Sequence, residues 1–212
     1  MNPQAPEAGV ARRAAETAAR HSYGKLVAFL SRRTRDVAAA QDALSAAFEA
    51  ALQQWPLQGV PASPEAWLMA VAKRQAIDAQ RRTATSDAAT DDLLLLTPAS
   101  TDDQDGDDRL IPDDRLTLLF ACAHPAIERS VRAPLMLQTV LGLDAGAIAS
   151  AFLVPPTTMG QRLARAKAKI KQAGIPFRLP DREDLPERLD TVLDAIYAAF
   201  TQGWSDPAGL DP

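Results

Sequence analysis

Residues 154–174 read VPPTTMGQRLARAKAKIKQAG, and on a helix Thr158, Gln161, Arg162, Arg165 and Lys169 fall on one face. These side chains carry the donors and acceptors needed to read base edges in a DNA major groove. Thr157 stands at the start of the same helix, where the positive end of the helix dipole favours a nearby phosphate. Lys167 and Lys171 lie on other faces and suit contact with backbone phosphate. Met159, Leu163, Ala166 and Ile170 recur at intervals of four, three and four, so they are expected to bury together. By itself this pattern also fits an ordinary amphipathic surface helix. What favours DNA reading is the segment before it.

That segment, DAGAIASAFL, opens with Asp144 as N-cap and puts Ile148, Ala149 and Phe152 on one side. Val154 precedes Pro155, and a residue before proline avoids the helical region, so the first helix should end near Leu153. Pro155 and Pro156 make a short fixed turn, and the basic helix starts at Pro156 or Thr157 and ends before Gly174. Two helices joined by so few residues have helix-turn-helix spacing. Upstream, residues 115–123 and 129–141 read as further helices.

The N-terminal part holds three more helical patterns. They are residues 11–32, residues 36–55, and a third opening at Ser63 and Pro64 as PEAWLMAVAKRQAIDAQRR. In the second, Val37, Leu44, Phe48, Ala51 and Leu52 repeat at helical spacing, and the pattern stops at Pro56 in the loop QWPLQGVPAS. In the third, Trp67, Leu68, Val71 and Ala72 begin an apolar stripe and the end is basic. Residues 84–112 read as a linker rich in Asp, Ser, Thr and Ala, interrupted by leucines at 93–96 that are expected to dock on something. Near the C-terminus, Leu189, Val192, Leu193, Ile196, Tyr197 and Phe200 share one face of an amphipathic helix and are expected to bury there.

The chain has 212 residues and a formal net charge of -4, but the charge is segregated. Residues 1–85 carry 11 basic and 7 acidic side chains, and residues 115–178 carry 9 and 2. Between them residues 86–114 carry 1 basic and 10 acidic, and residues 179–212 carry 2 and 8. Two basic blocks suggest two contacts with a polyanion, although solvated helix faces give the same counts. Aromatics are only 5% and alanine is abundant, which reads as all-helical.

Other chemistry finds little support. Cys122 is the only cysteine and His21 and His124 the only histidines, too few ligands for zinc, so Cys122 and His124 read as packing and a helix cap. DDQDGDD lacks the spaced ligands and closing Glu of a calcium loop. No phosphate loop, nucleophile elbow or acid–base pair is visible, so neither catalysis nor a cofactor or metal is expected. Trp67 reads as core, and Trp55 stands beside the loop. No apolar run spans a bilayer and no secretory leader is present, which favours the cytoplasm and no membrane partner.

In order, residues 42–48, the following loop and PEAWLMAVAKRQAIDAQRR resemble domain two of bacterial extracytoplasmic-function (ECF) sigma factors of the sigma-70 family. The Trp-Leu, Ala-Lys-Arg, Ile-Asp and Arg-Arg elements fall in the family's order, and DAGAIASAFLVPPTTMGQRLARAKAKIK resembles the helix-turn-helix of domain four. LLFACAHPAI followed by RAKAKIKQAGIPFRLP is similar to a subgroup with a C-terminal helical, tetratricopeptide-like extension. Only one helix of that extension stands here, so the sequence is either a truncated piece or a member that lost it.

The resemblance implies an all-α protein with sigma region 2 at 10–83, an acidic flexible linker at 84–112, sigma region 4 at 113–178 and the start of the extension at 179–212. It implies that Asp42, Leu44, Phe48 and Glu49 dock on the clamp of the largest subunit of RNA polymerase core, with the flap of the second subunit as a further partner. Lys73, Arg74, Gln75, Asp78, Arg81 and Arg82 would meet the minus-ten element of promoter DNA. Residues 57–63 would hold a base flipped from the opened strand, since reading a strand's bases requires unstacking them. The helix carrying Thr157 through Lys171 would bind the minus-thirty-five element.

The implied function is promoter recognition and melting, with an anti-sigma protein or the C-terminal extension as regulator. The chain departs from the family pattern at Ser45 and Ala46, at Ala79 and Gln80, and at Ala121 beside Cys122. Two other readings compete with it. One is a polymerase-independent helix-turn-helix regulator, which would need a dimer to read enough bases. The other is a helical interaction protein with acidic protein partners.

Overall fold

Every regular element among the described residues is an α-helix, as the alanine-rich, aromatic-poor sequence leads one to expect. The structure, a computed structural model, describes residues 5–87 and 111–205. The leucines at 93–96 and most of the expected linker lie outside the described residues. The helices are α1 (Ala5–Thr34), α2 (Val37–Gln58), α3 (Pro64–Asp87), α4 (Arg115–Cys122), α5 (Arg129–Leu141), α6 (Ala145–Ala151), α7 (Pro156–Gln172) and α8 (Leu185–Ser205). By contact the chain divides into two units, one of residues 1–22 and 39–112, the other of residues 23–38 and 113–212. The helix α1 therefore contributes its first part to one unit and its last part to the other.

The first unit is built on small side chains. Ala11, Ala15 and Ala18 of α1, Ala43, Ala47 and Ala51 of α2, and Ala72 and Ala76 of α3 are all buried. Leu44, Trp55, Leu68 and Met69 supply the bulk. Trp55 meets Trp67 edge to face with ring centroids 5.4 Å apart, a favoured geometry for the ring quadrupoles. The Ser22 hydroxyl donates to Glu65 across 3.2 Å.

Two boundaries differ from the sequence reading. The helix α2 does not stop at Pro56 but runs through it to Gln58. A proline in the last turn forfeits one backbone bond, and the turn still closes because the Gly59 N–H donates to the Trp55 carbonyl at 2.9 Å. Gly59 then ends the helix at a φ of 86°. At the other end of the unit, α3 continues to Asp87, so residues 84–87 are helical where a linker was expected.

In the second unit α5 is central, packing on α4, α7, α8 and α6. Its core includes Leu118, Phe120, Val131, Leu135, Met136, Leu137, Ile148, Met159, Leu163 and Ile170. Gly142 ends α5 at a φ of 71° with the Tyr23 ring against it. Asp144 caps α6 as expected, accepting from the N–H groups of Gly146 at 2.7 Å and Ala147 at 2.9 Å. Gly174 stands just past the end of α7 at a φ of 59°.

Leu153 occupies the same left-handed position after α6, at a φ of 53°, with its N–H on Ser150 and that of Val154 on the Ala149 carbonyl. A leucine there is strained, and at 94% exposure it gains no packing in return. Leu153→Gly is expected to stabilise the protein by about 1 kcal/mol, seen as a higher urea midpoint at unchanged slope.

The C-terminal helix departs from expectation. Only Val192 of the expected stripe is buried, joined by Ala195, while Leu193, Ile196, Tyr197 and Phe200 are each more than half exposed. The helix packs on α4 and α5 along the narrow edge carrying Val192 and Ala195. The bulkier residues lie round the cylinder from that edge.

Candidate nucleic-acid interface

The buried stripe of α7 is the one its spacing predicts: Met159, Leu163, Ala166 and Ile170 are all at most 8% exposed. That burial fixes the rotation of the helix. Thr157, Gln161, Arg165 and Lys169 consequently stand exposed, with Thr158 and Arg162 half-buried beside them. Pro155 and Pro156 start α7 directly after the short turn from α6, and α6 packs chiefly on α7. The pair has helix-turn-helix connectivity.

Arg162, Arg165 and Lys169 also line a cavity of about 260 Å³ whose other walls include Ile127, Glu128 and Val131. The Arg165 Nε–H donates to the Gln161 carbonyl at 3.3 Å, which lays that guanidinium back along the helix. Lys171, assigned to phosphate contact, pairs with Asp36 at 2.9 Å. The lysine is 65% exposed, so the pair contributes little and a phosphate can displace it. Lys167 is half-buried on the far side of the helix.

The loop walling this cavity is held by a residue the sequence reading passed over. Arg132 is 7% exposed; its Nε–H donates to the Ile127 carbonyl at 2.9 Å and its Nη2 to the Pro125 carbonyl at 3.3 Å. Its basic character blended into the charge count of the block, and only the fold shows it turned inward. Arg132→Met keeps the stem but removes both bonds and leaves the carbonyl of the buried Ile127 without this donor. It is expected to cost about 1–3 kcal/mol in urea denaturation.

His124 helps shape the same loop, its Nδ1 accepting the Ala126 N–H at 3.1 Å. Burial first, and then Arg188 and Arg132, hold its pKa below the ordinary histidine value. Cys122 is fully buried 3.7 Å from the Thr139 hydroxyl, and burial pushes its thiol up to about 12. Such a thiol is inert. Among the described residues no group of three or more His, Cys, Asp or Glu is placed to hold a metal ion. No helix among them is long and apolar enough to cross a membrane.

On α3 the residues given to the minus-ten element divide. Arg74, Asp78, Arg81 and Arg82 are exposed along one stripe, opposite the buried Leu68, Ala72 and Ala76. Lys73 and Gln75 are half-buried at its flanks. Ile77, of the Ile-Asp element, lies at the edge of the stripe beside Arg81 and is 48% exposed.

On α2, Leu44 is fully buried at the same face as Ala40, Ala47 and Ala51, so it packs into the core of its own unit. Asp42 and Glu49 are exposed, Phe48 is half-buried, and Leu52, part of the same helical repeat, is 50% exposed on their side. Beside the loop after α2 a second cavity of about 470 Å³ is lined by Trp55, Leu57, Gln58, Gly59 and Val60 among others. Leu57 there is 73% exposed.

These features define a class: a chain whose described elements are all helices, with exposed basic residues on α3 and on the second helix of the α6–turn–α7 pair. Residues 18–85 match the Sigma-70 region 2 family. The chain is also 40% identical over 182 residues to an uncharacterized protein of Rhizobium meliloti (strain 1021). That alignment covers 83% of this chain and 42% of the relative, so the chain spans less than half of the relative's length. No solved structure matches significantly.

Proposed function

We propose that this chain acts as an RNA polymerase sigma factor of the ECF type, bringing core polymerase to specific promoters and helping to open the minus-ten element. The observation that carries the reading is the exposed basic stripe of α3, which lies within the residues matching sigma-70 region 2. The α7 face gives a second stripe, on a separate unit, suited to duplex DNA at the minus-thirty-five element. In this reading Arg74, Asp78, Arg81 and Arg82 meet the minus-ten region, with Lys73 and Gln75 at its edges. Thr157, Thr158, Gln161, Arg162, Arg165 and Lys169 address the major groove, and Lys167 and Lys171 the phosphates. Asp42, Phe48 and Glu49, with Leu52 added, form the polymerase-facing side of α2. Its partners are the clamp and flap of core and promoter DNA; an anti-sigma protein or a C-terminal extension regulates it, in the cytoplasm.

A polymerase-independent regulator is the second reading, favoured by Ser45 on the outward side of α2 where the family carries a polar partner. Co-elution with purified bacterial core polymerase separates the two. Retention on core supports the sigma reading. Free passage together with a salt-sensitive shift of duplex DNA supports the regulator.

A further inference from the structure

The cleft between α7 and the loop before α5 lies wholly within the second unit, and its two walls differ in character. Arg162, Arg165 and Lys169 form one wall, so three cations stand along about 10 Å of one side of α7. Like charges at this spacing repel one another and destabilise the helix that carries them. Among the described residues none of the three is in an ion pair. An anion seated between them relieves that repulsion.

The opposite wall is apolar and fixed. Ile127 and Val131 are 2% and 3% exposed, and the bonds of Arg132 and His124 to the loop hold it in shape. The cleft therefore exists before any ligand arrives. Glu128 is the acid of the lining, and its carboxylate accepts the Ser130 hydroxyl. Three cations against one acid leave the lining with two net positive charges. A volume of about 260 Å³ lies below that of pockets for drug-sized molecules and suits a small ion. Guanidinium groups bind phosphate oxygens in pairs, and an ammonium adds a point charge. A phosphate dianion matches both the donors and the net charge.

We propose that this cleft binds a free phosphate dianion, and that the ion competes with promoter DNA for Arg162 and Arg165. A guanidinium turned onto an ion in the cleft is withdrawn from a base edge, so the site makes promoter reading sensitive to phosphate. The competition rests on the reading of α7 as the minus-thirty-five helix; the site does not.

The site is tested by calorimetric titration of the full chain with sodium phosphate replacing sodium chloride at constant sodium. Saturable uptake is expected. Ala126→Trp, at an exposed position of the lining, fills the cleft without touching a cation and should abolish uptake. Glu128→Gln removes the acid and should tighten uptake about fivefold or more. The competition is tested by binding of holoenzyme, assembled from the full chain and core polymerase, to DNA from the protein's own upstream region. At phosphate about ten times its dissociation constant, binding should be about tenfold weaker than in chloride, and Ala126→Trp should not feel the ion. No uptake by the wild type, or uptake that Ala126→Trp leaves unchanged, overturns the site and leaves the sigma reading standing. Uptake that does not weaken DNA binding overturns the competition. No uptake, together with weaker DNA binding by Ala126→Trp in chloride, assigns the cleft to a backbone phosphate of DNA and overturns the proposal. A wild type that binds no promoter even in chloride overturns the sigma reading, and the calorimetry still decides the site.

Discussion

Replacing Arg162 and Arg165 together by alanine is expected to lower promoter-specific transcription by roughly 30-fold or more. Arg165 stands exposed on α7 with Arg162 half-buried beside it, and a stripe of buried apolar residues fixes the helix rotation. A side chain that reads a base contributes about 1–3 kcal/mol of discrimination, so the pair contributes about 2–6 kcal/mol if both read. Folding should be unaffected, because the core residues Met159, Leu163, Ala166 and Ile170 remain. Lys171→Ala makes the contrast. Its role is phosphate contact, so it should weaken binding uniformly across sequences and reduce the salt dependence. The comparison is run-off transcription from matched and scrambled minus-thirty-five elements. Equal use of both elements by wild type and double variant would remove α7 from the readout.

The second large effect concerns stability. Gly24 lies within α1, where an alanine is intrinsically favoured by about 1 kcal/mol. Propensity alone would thus make Gly24→Ala stabilising. The structure reverses the sign. A β-carbon at Gly24 would run into the Val140 carbonyl oxygen and lie 2.9 Å from its carbon. Both atoms are backbone, so no side chain can yield and the end of α5 has to move away from α1. Overpacking of this kind costs about 1–3 kcal/mol and sometimes more, and here the upper end is expected. In a protein of this size about 3 kcal/mol corresponds to a fall in Tm of roughly 10 °C. Gly160→Ala in α7 is the control, since nothing lies within 4 Å of its added carbon. It should instead gain up to about 1 kcal/mol. A neutral or stabilising Gly24→Ala would show that the close approach of α1 to α5 does not persist in solution.

Gly24 also shows what the sequence could not say. Inside a helical pattern a glycine reads as a weak spot, and only the fold reveals a neighbour close enough to require it. The α6–turn–α7 segment was legible in full because independent signals agreed. Asp144 marks the start of α6, the two prolines mark the turn, the four-three-four spacing marks the buried face, and Gly174 marks the end. In α2 the signals were ambiguous. The helix is so rich in alanine that Leu44 and Leu52 both fit one apolar stripe, yet one is fully buried and the other half exposed. In α8 periodicity predicted a buried face, yet of that stripe only Val192 is buried, since contact runs along the Val192 and Ala195 edge. Arg132 was invisible for the opposite reason: charge counts cannot tell an arginine that bonds loop carbonyls from one that faces solvent.

The sigma reading is tested most directly by run-off transcription from the protein's own upstream region, with and without purified bacterial core polymerase. The account predicts a defined transcript start only when chain and core are both present, and loss of that start in the Arg162/Arg165 double variant. A chain that neither binds core nor directs a start, yet shifts duplex DNA as a dimer, would contradict it.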